Sequence, residues 1–367
     1  MVSSISRRAF LASGAATLAS SSAFSGEDDA PLRARAAKRG LVYGCALSSH
    51  HLHDKSYMDA VAREANILVH EYELKADAIN PETDRFNFTA ADQVVDFAAQ
   101  NGMKMRGHPL IWYASNPSWL TERLAANPNE RVLTDYIAKV VGHYKGRMHS
   151  WDVVSEAIEP SEGHRDGLRV KSPWHQAFGP SYIELAFHAA READPNALLV
   201  YNDYDIESAS WKNGRRRVAL LRLCAKLKAK GVPIDAIGIQ GHLKAFREPF
   251  NEKIFASFLG DIHSLGLKFM ITEFDVADID GPADIVKRDA EVASLTRRFM
   301  SVALQSPALL GLLTWGLSDR YSWLSDPVWG YDYRWADGQL SRGLPLDGDL
   351  QRKPMWYEIA RAISARG

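Results

Sequence analysis

Two glutamates occupy positions where chemistry is expected. Glu156 closes W-D-V-V-S-E (151 to 156) and Glu273 lies in F-M-I-T-E-F-D-V (269 to 276), each at the end of a short apolar run. A carboxylate placed where a buried strand runs out faces the rim of a barrel, the edge at which that architecture carries its active sites. Two carboxylates with aromatic and amide neighbours, and no His-x-His or cysteine cluster in the runs that carry them to supply metal ligands, suit the cleavage of an acetal. One carboxyl protonates the leaving oxygen while the other stabilises or captures the positive carbon. One must therefore stay protonated near neutral pH and the other ionised. Environment imposes that difference: apolar surroundings raise a carboxyl pKa, whereas hydrogen bonds and nearby positive charge lower it. If the sixth and seventh strands are neighbours, Asp275 can orient His242 and His242 can hydrogen-bond Glu273, which makes Glu273 the better nucleophile candidate. Glu156, beside Trp151, Val153 and Val154, is then the acid/base.

The elements that must position this pair are legible as eight apolar, β-branched or aromatic runs, at 41–47, 67–74, 103–112, 149–156, 198–204, 236–243, 268–275 and 309–317. Between them lie helix-period segments at 90–100, 132–144, 182–192, 215–230, 252–265 and 284–304, with a last helix expected over 353–363 and Pro354 in its first turn. Strand and helix alternating in this way predict parallel strands joined by crossover helices. The length fits a single-domain α/β fold, a (β/α)8 TIM barrel over 41–365, better than a doubly wound sheet, because no G-x-G-x-x-G follows the first strand. Polar residues end many strands and not one switch point: Glu71 and Lys75, His108 and Trp112, Asp152 and Glu156, Asn202 to Tyr204, Gln240 and His242, Glu273 and Asp275, Trp315 and Asp319. In a barrel all of these converge. Trp112, Trp119, Trp315, Trp323 and Trp329 fall in or just after strand-end loops, where indole faces stack on pyranose rings, while Trp151 and Trp356 read as core.

Composition narrows the class. The 367 residues are 46% hydrophobic and 24% charged with a formal net charge of −1, which describes a globular protein and not a nucleic-acid binder. The basic runs Arg33 to Arg39 and Arg215 to Arg217 read as solvated faces. Residues 1–25 read as a twin-arginine export signal, with S-R-R-A-F-L (6 to 11) before a small apolar stretch too short to span a bilayer. A soluble periplasmic or extracellular protein is expected, with 26–40 as an N-terminal extension. Cys45 and Cys224 form no disulfide framework or metal cluster and read as isolated buried thiols. No cofactor or metal is expected.

Taken together, these motifs resemble glycoside hydrolase family 10, the retaining endo-β-1,4-xylanases, from Gly44 to about Pro354. W-D-V-V-S-E-A is similar to the family's acid/base segment and I-T-E-F-D-V to its nucleophile segment. The resemblance implies Glu156 and Glu273 in those roles, with Asp152 and Asp275 supporting them. It also implies a sugar-binding surface of Glu71, Tyr72, Lys75, His108, Trp112, Tyr113, Ser155, Asn202, Tyr204, Gln240, His242, Trp315 and Trp323. Four positions depart from the family pattern: Ser155 and Tyr72 stand where Asn is usual, Tyr113 where His is usual, and Ser115 where Gln is common. The Asn at position 155 would hold the sugar 2-hydroxyl, a contact that strengthens in the transition state. The expectation is a monomeric hydrolase acting on a polysaccharide or oligosaccharide, with activity shifted away from plain xylan. The rival expectation is a glycan-binding barrel that has lost turnover.

Overall fold

The computed structural model describes residues 29–366. Within it, the residues from Pro31 onward form one compact unit. Nine strands occur among the described residues: β1 (Val42–Leu47), β2 (Ile67–His70), β3 (Lys104–Gly107), β4 (Met148–Ser155), β5 (Leu198–Asp203), β6 (Ala236–Ile239), β7 (His242–Lys244), β8 (Lys268–Ala277) and β9 (Leu309–Thr314). Eight of them close into a parallel barrel, with β1 through β6 in sequential order, β6 paired with β8, and β9 between β8 and β1. The sixth apolar run is thus two strands. It breaks at Gln240 and Gly241, and β7 resumes beside the far end of β8 with His242 opposite Asp275. The second run stops as a strand at His70, leaving Glu71 to Lys75 in the loop above it.

Helices cover the outside, including Thr89–Gln100, Glu130–His143, Ser181–Ala193, Trp211–Ala229, Glu252–Ser264, Ile285–Ala303 and Pro354–Ala365. Each crossover returns the chain to the N-terminal end of the barrel, so every strand delivers its C-terminal residues to the same rim. The strands are buried on both faces, which is why they read as continuous apolar runs instead of alternating ones. Outside the barrel wall, Phe274 stacks on Phe299 with ring centroids 5.3 Å apart. Its sequence neighbours Glu273 and Asp275 therefore turn inward. Inside, Val42, Ala46, Ile67, Val69, Met270 and Leu313 fill the lumen, and Trp315 lies on the same cluster. Gly107 is required where it stands, because a Cβ there would come within 2.0 Å of the buried Trp151 ring.

The segment 26–40, expected as an extension, contains a helix at Leu32–Lys38 that packs against the barrel. Glu64, fully buried, ties the ends together. It accepts the Leu32 backbone N–H at 2.9 Å, the Trp356 indole N–H at 3.1 Å and an Arg352 guanidinium N–H at 2.9 Å. Arg35 donates to Ser364 Oγ at 2.8 Å, so the first and last helices meet where β1 begins, at the end of the barrel away from the rim. The basic run at 215–217 departs from the solvated face read from sequence. Arg216 and Arg217 are buried and hydrogen-bonded within the loops after β4 and β5, and only Arg215 is exposed. Cys45 and Cys224 are both buried and free. Among the described residues no helix is long and apolar enough to cross a membrane.

Candidate functional site

Glu273 sits in a shell of donors. Asn202, at the end of β5, gives its amide N–H to Glu273 Oε1 at 2.6 Å, and its own Oδ1 accepts Thr272 Oγ1 at 2.8 Å. Asn202 therefore holds the carboxylate with one N–H of its amide, where the sequence alone suggested a contact with the sugar. His242 Nε2 lies 3.3 Å from Glu273 Oε2, and Asp275 Oδ1 lies 2.9 Å from His242 Nδ1. Trp323 donates its indole N–H to Asp275 Oδ2 at 2.6 Å, so the loop after β9 completes the chain of contacts. His108 approaches Glu273 Oε1 to 3.8 Å and rests edge-on against Trp315. Burial by itself would raise the Glu273 carboxyl. The charges of His108 and His242, with the His242 and Asn202 hydrogen bonds, outweigh it and bring the pKa from 4.5 down to about 2. For His242, burial favours the neutral ring, but the Asp275 and Glu273 carboxylates hold the imidazolium and carry its pKa well above 6.5.

Beneath this group Arg106 makes a bidentate ion pair with Asp152, and Asp152 Oδ2 lies 2.8 Å from His108 Nδ1. Arg106 and Asp152 are fully buried. His108, Asp152 and Glu273 bring possible ligand atoms within 4.8 Å of one another. The Asp152 oxygens are already engaged by Arg106 and His108, and His108 turns the same nitrogen to both carboxylates, so the trio is built to orient an imidazole.

Glu156 has a different environment. It follows β4 with φ of 59°, a left-handed conformation that is strained for a residue with a side chain and that collects at active sites. Its N–H bonds Asn202 O at 2.8 Å and its carbonyl accepts Arg169 Nε at 2.9 Å, so the turn is held from both sides. Gln240 Nε2 donates to Glu156 Oε1 at 2.9 Å. Burial raises the Glu156 carboxyl above its ordinary value, the Gln240 hydrogen bond opposes this, and the charges of Asp203 and Glu273 add to it. The two carboxyls are thus pushed in opposite directions.

The left-handed turn also draws in residues that the motifs did not mark. Arg169 bonds Tyr204 Oη at 3.0 Å and lies over the Tyr113 ring at 3.8 Å. Arg216 sits over Tyr204 at 4.1 Å, bonds the Tyr204 carbonyl and pairs with Asp203 and Glu159. A charged residue inside an apolar segment needs a partner, and that signal alone could have exposed Arg106 with Asp152. Nothing in the order of residues after Glu156 marks Arg169.

A third group lies above β2. The Lys75 ammonium stands 5.5 Å from the Tyr72 ring and 5.2 Å from both the Trp112 and Trp329 rings. Burial lifts the Glu71 carboxyl to about 7 despite the opposing charge of Lys75. Glu73, which the sequence reading passed over, accepts Ser48 Oγ at 2.7 Å and anchors this loop. Tyr72 and Tyr113 are exposed, and Ser155 is buried with no hydrogen-bond partner for its Oγ among the described residues. Two of the residues expected at the rim are held by partners of their own. Trp119 lies in the helix Ser118–Ala126, partly buried, and donates its indole N–H to Asn80 O, while Asp319 is engaged by Lys353 at 2.6 Å.

Residues 31–362 match the family model described as Glycosyl hydrolase family 10. The chain is similar to an endo-1,4-beta-xylanase B of Thermotoga neapolitana, 35% identical over 93% of this chain and 94% of that one. It is likewise similar to a beta-1,4-xylanase of Dictyoglomus thermophilum, 36% identical over 88% of each. Among solved structures it resembles xylanase 10B of Thermotoga petrophila RKU-1 in complex with xylobiose, with a TM-score of 0.79 and 35% identity over 91% of this chain and 97% of that one.

Proposed function

The chain belongs to glycosyl hydrolase family 10 and is a glycoside hydrolase of the endo-β-1,4-xylanase type, and on that premise we propose that Glu273 is its nucleophile and Glu156 its acid/base. The observation that carries this assignment is the opposite electrostatics of the two carboxyls. Glu273, held near 2 and faced by imidazolium, is ionised and can attack the anomeric carbon of the sugar. Glu156, raised by burial, keeps a proton to give to the departing glycosidic oxygen. The carbon–oxygen bond of the linkage breaks as the Glu273 ester forms. Glu156, now a carboxylate, takes a proton from a water that attacks the same carbon, and Glu273 leaves as a carboxylate. Two inversions give net retention. In this scheme Asp275 fixes the ring of His242, and Arg106 with Asp152 fixes that of His108.

The substrate is xylan or a related β-1,4-glycan with the preference shifted from the plain polymer. This reading rests on Ser155, whose buried hydroxyl is too short to take the place of an amide, and on Tyr72 and Tyr113 at the adjoining sugar positions. The chain acts as a monomer outside the cytoplasm, exported by the twin-arginine segment at 6–11, which lies outside the described residues. Trapping with a 2-deoxy-2-fluoro xylobioside followed by peptide mass spectrometry tests the assignment. The label is expected on Glu273, and a label on any other residue overturns it.

A further inference from the structure

We propose that this protein carries a second carbohydrate site, a basic groove beside the leaving-group arm of the cleft that takes a uronate-bearing stretch of polysaccharide; the inference rests on the glycosidase reading above. Glu156 protonates the leaving oxygen, so the leaving part of the polymer passes over the loops that follow β4 and β5. Those two loops build the groove. One wall is the segment around His164 and Arg165, and the other is the start of the helix Trp211–Ala229, enclosing about 490 Å³. Trp211, Arg215, Val218 and Arg222 all line it and recur at spacings of four, three and four residues, which places them on one stripe of the helix.

The stripe has the composition of a sugar-acid platform. Trp211 is 76% exposed, an unusual position for an indole, and Arg215, which also donates to Pro160 O at 2.9 Å, lies over its ring at 4.9 Å. An indole face stacks on a pyranose ring, and a guanidinium beside it reaches a carboxylate with two parallel hydrogen bonds. Arg222 is exposed and makes no ion pair or hydrogen bond among the described residues, and the Arg165 side chain is 95% exposed. Asp166, 3.8 Å from Arg165, contributes the only carboxylate lining this cavity. The groove continues past Arg165, Asp166 and Arg222 into a second hollow of about 380 Å³ that Lys226, one further step along the stripe, also lines, with Glu184 there paired to Lys230. The helix itself carries no acidic residue, although the whole chain has a net charge of −1. Positive charge, little of it met by carboxylates, is therefore concentrated along one path that leads away from the acid/base.

Affinity electrophoresis of the full chain, silenced by Glu273→Ala, tests this in gels containing glucuronoxylan, neutral arabinoxylan or poly-glutamate. Glucuronoxylan is expected to retard the protein most, and the retardation should fall about fivefold in Trp211→Ala and in the pair Arg165→Gln with Arg222→Gln. About 0.3 M salt should weaken it, since exposed charges are screened at that ionic strength. In chains that retain Glu273, kcat/KM on an aryl xylobioside should stay within about twofold for all of these variants. Undiminished retention in the variants, or equal retention by the neutral polymer, overturns the proposal. So does equal retention by poly-glutamate, which would reveal a plain cationic surface. If instead the unaltered chain hydrolyses no β-1,4-glycan, the glycosidase reading fails, and the binding result is read independently of it.

Discussion

Removing the Asn202 side chain separates two roles that one residue could play. Asn202→Ala deletes the 2.6 Å hydrogen bond to Glu273 and leaves the backbone bond from Glu156 to Asn202 O in place. A hydrogen bond to a charged group contributes about 1.5 to 3 kcal/mol, and about 1.4 kcal/mol corresponds to one pKa unit. The Glu273 pKa, about 2 with Asn202 present, should then rise to between about 3 and 4. The assay is the pH dependence of kcat/KM on an aryl xylobioside whose leaving group needs no proton, so that Glu156 does not shape the profile. The unaltered enzyme should be flat down to about pH 3, whereas the variant should lose activity below about pH 4. Above pH 5 the nucleophile is ionised in both, and a further loss of about tenfold to a hundredfold there would measure its disorientation. The stability change has the same origin. A depressed carboxyl pKa adds stability above the unfolded value of 4.5, and that stability disappears as pH falls toward about 2, so the variant should gain less between pH 2 and 5. An unmoved acid limb with a raised KM would refute this reasoning and return Asn202 to the sugar.

The remaining predictions concern the other supports. Glu156→Ala should lower kcat/KM on xylan by about 10² to 10⁴ while sparing activated aryl substrates, and the alkaline limb seen with xylan, where Glu156 loses its proton, should vanish. Asp275→Asn should let His242 deprotonate at lower pH. Stability from that imidazolium, present below pH 6.5 and lost only as pH rises through the raised folded value, should then disappear at a lower pH in urea titrations of the variant. Gly238→Ala would put a Cβ 2.3 Å from Asn202 Oδ1. It should cost about 1 to 3 kcal/mol in urea denaturation and shift the Glu273 acid limb in the same direction as Asn202→Ala. Ser155→Asn should raise kcat on unsubstituted xylan, read by reducing-sugar release.

The eight-strand barrel was readable because strands buried on both faces appear as continuous apolar runs. The relay from Asp275 through His242 to Glu273 was also readable, since parallel neighbours bring their ends together. The break at Gln240 and Gly241 was not, because apolar residues continue on both sides of it and only the pairing of β7 with β8 reveals the interruption. The left-handed turn at Glu156 leaves no mark on residue type, since that conformation favours glycine and a glutamate stands there. Arg216 and Arg217 were misread for a related reason. An arginine cluster looks solvated until the carboxylate and carbonyls that receive it, Asp203, Ile206 and Ser208, come close by folding. Trp119 shows the converse, an aromatic read as belonging to a strand-end loop that sits in the helix Ser118–Ala126 and gives its indole N–H to the backbone of Asn80.

Where the first and last helices meet has a practical consequence. Arg35 and Ser364 hold the two ends of the catalytic unit side by side, at the pole of the barrel opposite the cleft. A carrier domain, anchor or affinity tag attached at either end would hang on that far side and leave the mouth open to a long polymer. A short peptide bridging the two ends would allow the chain to be reopened at an exposed loop elsewhere, giving a circular permutant whose rim is assembled from the same strands.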